Sequence, residues 1–370
     1  MTRRLGVPLL TWVATVAAIT ALAAAFGYHP FDSATWSRYD SAHYEDIARN
    51  GYDLFRCPPG VWIPGAWCGD AGWFPGYSWV FGALHLAGLP LRASGVAVSW
   101  FFAAATLVLV WNTFFRHRTD VTALFALLYA AWAPGQIYDY SIFPMSVLAF
   151  FTVAHLWLLV RGRYVLAGLA GAAAVLSYPL GVLLVPVSAA WLLLQRGVAV
   201  AERVRRTAIA SGLTLGGLGV LFVDQAVETG HWNAYFLVQK NYKHHFLNPV
   251  ATTRDSLRPV VDWSPFELHK FGPALQTALV TAALAAVVIH ALVRRGTLDR
   301  ADALLLLFAV VTWVVPLSQS YVSLQRSQAA LLPLAVLVRK LPRRVVIALA
   351  VAAVPVAAVM EKLFLQGKIV

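Results

Sequence analysis

Apolar runs of about 16 to 23 residues recur along the whole chain, separated by short polar connections, and this is the length an α-helix needs to cross about 30 Å of hydrocarbon. Helices suit that setting because they pair every backbone group internally, whereas a membrane β-barrel would show weaker, alternating segments. The pattern predicts helices near residues 5–27, 96–115, 121–137, 142–160, 164–178, 179–195, 207–226, 271–293, 301–317, 327–339 and 344–360. That makes about eleven crossings, within a range of ten to twelve. Several runs are short and are expected to be tilted, bent or covered by protein. Two connections are long enough to build something, residues 28–73 and 228–270, and both mix aromatics, proline and charge. The expected architecture is a single all-α integral membrane domain over residues 1–370, with these segments as its first and second large extracytoplasmic loops.

Composition agrees, since 59% hydrophobic and 12% charged residues over 370 positions is more apolar surface than a soluble core of this size can hide. The net charge of +12 would fit nucleic acid, but its placement argues against that partner. One group of connections carries Arg3, Arg4, Arg116, Arg118, Arg161, Arg163, Arg196, Arg203, Arg205, Arg206, Arg294, Arg295, Arg300, Arg339, Lys340, Arg343 and Arg344 against only Asp120, Glu202, Asp299 and Asp302. The remaining segments hold 12 bases and 13 acids, so one side has a charge of +13 and the other −1. This is the positive-inside bias, which predicts a cytoplasmic N-terminus and puts both long loops outside. Were residues 74–91 to span, Arg116 and Arg118 would change sides and spoil the bias. That segment is therefore expected as a non-spanning, interfacial or re-entrant helix covered by protein on the outer face. The run at 5–27 reads as a retained anchor rather than a cleaved signal. Usage rich in Ala, Arg and Val with little Lys points to a GC-rich bacterium, hence a plasma membrane with its working face outward.

Chemistry concentrates behind the first anchor, where residues 38–52 hold Asp40, His43, Glu45 and Asp46 in an otherwise apolar chain. As a helix, this stretch places Asp40, His43, Tyr44, Ile47 and Gly51 on one face, while Glu45 and Arg49 form an i,i+4 pair on another. A carboxylate lodged between a helix bundle and an aromatic loop suits a general base, but Asp40 also suits a helix N-cap, and the residues alone leave both readings open. Outside cations fit a phosphate: Lys240, Lys243, Arg254, Arg258 and Arg326, the last at the mouth of an apolar helix. His244 and His245 are adjacent and poorly placed to share a metal ion. A divalent ion between Asp40 and Asp139 is conceivable only if folding brings them together, so no cofactor is required. Phosphate-loop and nucleophile-elbow motifs are absent from the sequence. Cys57 and Cys68 fall in a loop rich in Pro, Gly and Trp on the outer side, where a disulfide would stiffen the loop by about 3 kcal/mol; two unlinked thiols are the alternative. The tryptophans from Trp62 to Trp79 suit sugar stacking or a membrane belt.

The pattern Tyr39-Asp40-Ser41-Ala42-His43-Tyr44 with Ile47-Ala48 and Gly51-Tyr52, followed by Trp73-Phe74-Pro75-Gly76-Tyr77, resembles the family of GPI mannosyltransferase 2, the PIG-V-like proteins. Weaker matches follow in order: Pro134-Gly135, Tyr140-Ser141, Arg161-Gly162-Arg163, Pro179 with Gly181, and Phe266-Glu267-Leu268 before Lys270. The resemblance implies a type C glycosyltransferase fold and a sugar donor attached to a polyprenyl phosphate. It assigns the catalytic role of the family's outer-loop acid to Asp40, with Arg38 and His43 as its neighbours. Tyr39 stands where the family has Trp, Ile142 where it has an acid, and Tyr178 near an expected Arg. Asp139 is positioned to supply the missing carboxylate.

The expected function is inverting transfer of a sugar, mannose by resemblance, to the hydroxyl of a lipid, glycan or protein acceptor. Asp40 acts as base, and Arg38, His43, Tyr44, Asp139, Lys240, Lys243, Arg254, Arg258 and Arg326 line the substrates. A transporter or flippase of polyprenyl-linked or small solutes would instead place ionisable groups near the bilayer midplane. A non-catalytic partner subunit with the same fold is the third reading.

Overall fold

A computed structural model describes residues 2–61, 65–262, 266–294, 298–320 and 323–369. Trp62 of the aromatic loop, Arg295 of the basic set and Tyr321 and Val322 ahead of Arg326 lie outside the described residues, as does the side chain of Arg3.

Helices make up most of the chain: α1 (Thr2–Ala25), α2 (Ser41–Asn50), α3 (Gly76–Leu86), α4 (Leu91–Val110), α5 (Val121–Ala131), α6 (Ile137–Tyr140), α7 (Met145–Val160), α8 (Tyr164–Ser177), α9 (Leu184–Leu193), α10 (Val200–Thr229), α11 (Ala234–Gln239), α12 (Pro249–Val261), α13 (Leu268–Val293), α14 (Arg300–Leu317), α15 (Leu324–Ala329), α16 (Leu332–Leu337) and α17 (Arg343–Leu365). One small antiparallel hairpin, β1 (Phe55–Arg56) with β2 (Trp67–Cys68), stands in the first long loop. Among the described residues six helices are long and apolar enough to cross a membrane: α1, α4 with its π-helical extension to Phe115, α10, α13, α14 and α17. Four of the crossings that the sequence pattern predicts fall on shorter apolar helices, α5, α7, α8 and Pro179–Leu193. At 1.5 Å per residue the longest of these four, α7 with 16 residues, reaches about 24 Å.

Close packing explains how such short helices are accommodated. α8 lies against α7 and α10, and α4 against α7, α3 and α1. A Cβ on Gly168 would sit 2.6 Å from the Leu213 Cβ, and one on Gly217 2.6 Å from the Ala172 carbonyl oxygen, so α8 and α10 meet backbone to backbone. The helix predicted over 121–137 stops at Ala131, and that over 327–339 divides into α15, α16 and a 3-10 turn over Val338–Lys340.

Polar contacts mark two ends of this bundle. At one end Arg92, at the start of α4, donates to Glu45 of α2 at 2.9 Å, and the Ser78 hydroxyl of α3 donates to the Tyr44 carbonyl at 2.9 Å. Helix α3 is thus held beside α2, and its 11 residues rise only about 16 Å, in keeping with a helix that does not span. At the other end, Asp302 near the start of α14 accepts from Arg339 at 2.5 Å and from Lys340 at 2.7 Å. Helix α4 runs 20 residues from the first end towards the second, a rise of about 30 Å.

Candidate active site

The stretch around Asp40 is built by anchors at both ends of α2. Its start is docked by the Ser41 hydroxyl, which donates to the Ile142 carbonyl at 3.0 Å, and by the Ile142 amide, which donates to Trp36 at 3.0 Å. Its end turns at Gly51, whose φ of 75° is open to glycine at little cost. A side chain there would also meet the Glu228 carboxylate, which takes the Tyr52 amide hydrogen. Tyr52 then donates its hydroxyl to the Trp73 carbonyl at 2.7 Å, so the Ile-Ala-x-x-Gly-Tyr and Trp-Phe-Pro-Gly elements are bonded to each other.

Asp40 sits at the N-cap position, but its side chain makes no capping bond. Its carboxylate instead accepts from the Arg326 guanidinium, across 286 residues of sequence. The two side chains retain 23% and 21% exposure, enough for a ligand to compete for them. Tyr44, Tyr138, Tyr178 and Tyr242 all lie within electrostatic reach of the pair. The Arg326 guanidinium also lies 5.7 Å from the Phe143 ring centre. Beside Asp40, Tyr39 takes a left-handed φ of 55°, packs its ring on Phe364 and accepts from the Ile369 amide at 2.7 Å.

Arg326 owes its place to two contacts. Gly135, at φ +87°, lets the Pro-Gly turn press on α15, where a Cβ would lie 2.8 Å from that of Ala329 and 2.9 Å from the Gln325 carbonyl oxygen. The second long loop pairs with residues 318–320 just ahead of α15: Leu247 donates to Ser318 at 2.9 Å and Ser320 to His245 at 3.1 Å. This pairing carries Tyr242 towards Asp40 and Arg326.

One helical turn beyond Asp40, His43 bonds through Nδ1 to the Asp70 carboxylate and stacks on Trp73 at 3.4 Å between ring centres. Burial pushes the Asp70 carboxyl above its ordinary value, and the hydrogen bond to His43 draws it partly back. The Asp53 carboxylate accepts from the Asp70 amide at 2.7 Å and fixes this loop. Cys57 and Cys68 are disulfide-bonded across the hairpin that precedes Asp70.

Other candidates lie apart or are otherwise engaged. Arg38 donates to the carbonyls of Ala34 and Ser37 at 2.8 Å and of Leu365 at 3.1 Å, a clamp between the first loop and the end of α17. Asp139 lines a small cavity with Thr106 and Ser146, where its Oδ1 has no hydrogen-bond partner. Asp40 is not in that lining, and among the described residues no group of three or more His, Cys, Asp or Glu lies together. Arg254 pairs with Asp255 at 3.1 Å and Arg258 with Asp262 at 2.7 Å on α12, a helix with no buried residue. Lys240 and Lys243 flank Tyr242 in the second loop. His244 and His245 each bond to Ser320, which makes them ties between loops. Glu45 does not pair with Arg49. Its carboxylate, 5% exposed, accepts from Arg92 and from Ser37, while Arg49 faces Asp46 at 3.9 Å.

Sequence reading missed Asp70, Tyr138, Tyr242 and Glu228. Only Asp70 had a local signal, its position three residues before Trp73 in the motif-bearing loop.

No family model and no curated protein sequence matches the chain. Among solved structures it is similar to the oligosaccharyltransferase of Archaeoglobus fulgidus, crystallised in complex with Zn and sulfate, at 13% identity and a TM-score of 0.46. The match covers 91% of this chain and 48% of that one, so the chain spans about half the length of that protein.

Proposed function

We propose that the protein is a membrane glycosyltransferase of the type C kind, moving a sugar from a polyprenyl-phosphate donor to an acceptor hydroxyl with inversion at the anomeric carbon. Mannose is the sugar indicated by the motif resemblance. The observation that carries the reading is the Asp40 carboxylate, free of any capping bond and held against Arg326 among tyrosines at the loop end of the bundle.

In this reading the donor phosphate competes for Arg326 and draws the guanidinium away from Asp40. A planar cation is suited to a phosphate leaving group, and the released carboxylate is suited to accept a proton. The acceptor hydroxyl hands its proton to Asp40 as its oxygen bonds to the anomeric carbon. The bond from that carbon to the phosphate oxygen breaks, and the negative charge left on the polyprenyl phosphate is stabilised by Arg326. Tyrosine hydroxyls around the pair supply hydrogen bonds for the sugar, and Trp73, backed by His43, supplies a ring on which it can stack.

Purified protein supplied with labelled polyprenyl-phosphate mannose, with lipid, glycan and protein products separated, tests the proposal. Asp40→Asn is expected to lower transfer by about 10²- to 10⁴-fold, the usual worth of a positioned base, with membrane insertion unchanged. Transfer by that variant at more than a tenth of the wild-type rate would overturn the assignment.

A further inference from the structure

The other end of the bundle holds a cavity of about 700 Å³ that the proposed reaction does not use. Its size falls within the range of small-ligand sites, about 300 to 1,000 Å³. Its walls come from the ends of several helices: Arg116 and Arg118 follow α4, Arg161 ends α7, and Arg339 and Lys340 end the α16 segment.

Charge is unbalanced within this cavity. Those five cations face two lining carboxylates, Asp120 and Asp299. Arg118 is paired with Asp120 at 2.8 Å, and Arg339 and Lys340 are both held by Asp302 behind the wall. Arg116 and Arg161 have no carboxylate partner among the described residues, and Arg161 lies over the Trp157 ring at 5.6 Å. A topological surplus of arginine needs only solvated loops; here the side chains converge on a walled space whose lining also includes Trp157, Phe114 and Val160. Two uncompensated cations beside apolar side chains at a helix-bundle end match an anion with a hydrocarbon tail.

We propose that this cavity binds a phosphate-bearing headgroup, with Arg116 and Arg161 supplying the uncompensated charge, and that an anionic phospholipid of the adjacent leaflet is its source. Arginine's fork geometry accepts two phosphate oxygens, and the lipid tails leave past Trp157 and Val160 into the bilayer.

Native mass spectrometry of the full chain released from detergent, titrated with dioleoylphosphatidylglycerol or dioleoylphosphatidylcholine, tests this. One phosphatidylglycerol is expected to bind at least tenfold more tightly than phosphatidylcholine, and Arg116→Gln/Arg161→Gln is expected to remove the preference. Arg116→Lys/Arg161→Lys should keep most of it, which separates lost charge from lost fold. A third arm uses inorganic phosphate: protection against thermal unfolding by millimolar phosphate, lost in the Gln variant and without any lipid preference, would assign the headgroup chemistry to a soluble anion instead. Equal binding of the two lipids together with no phosphate effect, or retention of either effect in the Gln variant, overturns the proposal. Mannosyl transfer from the labelled donor is read at the opposite end of the molecule, so loss of one result leaves the other standing.

Discussion

Removing Arg326 from the Asp40 pair, by Arg326→Gln, should destabilise the fold by an amount that depends on what remains at position 40. Two unit charges 4 Å apart attract by about 4 kcal/mol at an effective dielectric of about 20. Each side chain here keeps roughly a fifth of its exposure, 21% and 23%, so water screens part of that attraction and desolvation offsets more. A coupling of about 2 kcal/mol is expected, inside the usual span of about 0.5 to 3 for groups in contact. Arg326→Gln leaves a largely buried carboxylate unpaired and should cost about 3 kcal/mol. Asp40→Asn keeps an amide oxygen to accept one guanidinium hydrogen and should cost about 2. The double variant should then cost about 3 rather than 5. Denaturant unfolding in detergent micelles, followed by the fluorescence of the 14 tryptophans, measures all four corners of the cycle. Free energies that add within about 0.5 kcal/mol would show that the pair is not coupled, and with it the exchange of Arg326 between Asp40 and a donor phosphate would lose its basis.

Three further outcomes follow from particular contacts. Gly135→Ala sets a Cβ 2.8 Å from that of Ala329 at φ +87°, so it should cost about 2 kcal/mol or more and slow transfer by shifting α15; wild-type rate and stability would remove Gly135 from the support of Arg326. Because folding raises the Asp70 carboxyl above 3.8, the native chain keeps a proton there that the unfolded chain has released. Its contribution to stability is therefore full below pH 3.8 and falls as pH rises through the raised value. Asp70→Asn should remove that component from the pH dependence of unfolding, and an unchanged slope as pH rises from 3.8 would count against it. Cys57→Ser/Cys68→Ser opens a loop closed by a bridge of sequence separation 11 and should lose up to about 3 kcal/mol, seen as faster proteolytic cutting between the hairpin strands; equal cutting rates would contradict it.

Local pattern carried the reading of α2 a long way. Spacing of three and four predicts a helix through this stretch, and α2 appears over Ser41–Asn50 with Asp40 at its N-cap. Gly51, however, ends the helix instead of lying on its face, and α3, expected to be covered by protein, leaves Trp79, Val80, Leu84 and Leu86 exposed. Partner assignments made on local spacing fared differently. Glu45 is an i,i+4 neighbour of Arg49, yet it is bonded to Arg92 on another helix, because a nearly buried carboxylate needs a partner inside the interface and Arg49 faces outward. Arg38 lies two positions before the acid in sequence, but its Nε and Nη1 donate to three backbone carbonyls.

Hydropathy and charge by themselves determined that this chain is a helical membrane protein, where its long polar loops fall and which short stretch concentrates acid and aromatic side chains. These are properties of single segments: a run's length must match the bilayer, and a helix repeats every 3.6 residues whatever surrounds it. Tertiary packing alone decided that Arg326 meets Asp40, that Asp70 meets His43, that Asp139 lies elsewhere and that arginines from separate connections wall one cavity. Such meetings depend on how helices cross and how closely small residues let them approach, and no local period encodes a contact between side chains 286 positions apart.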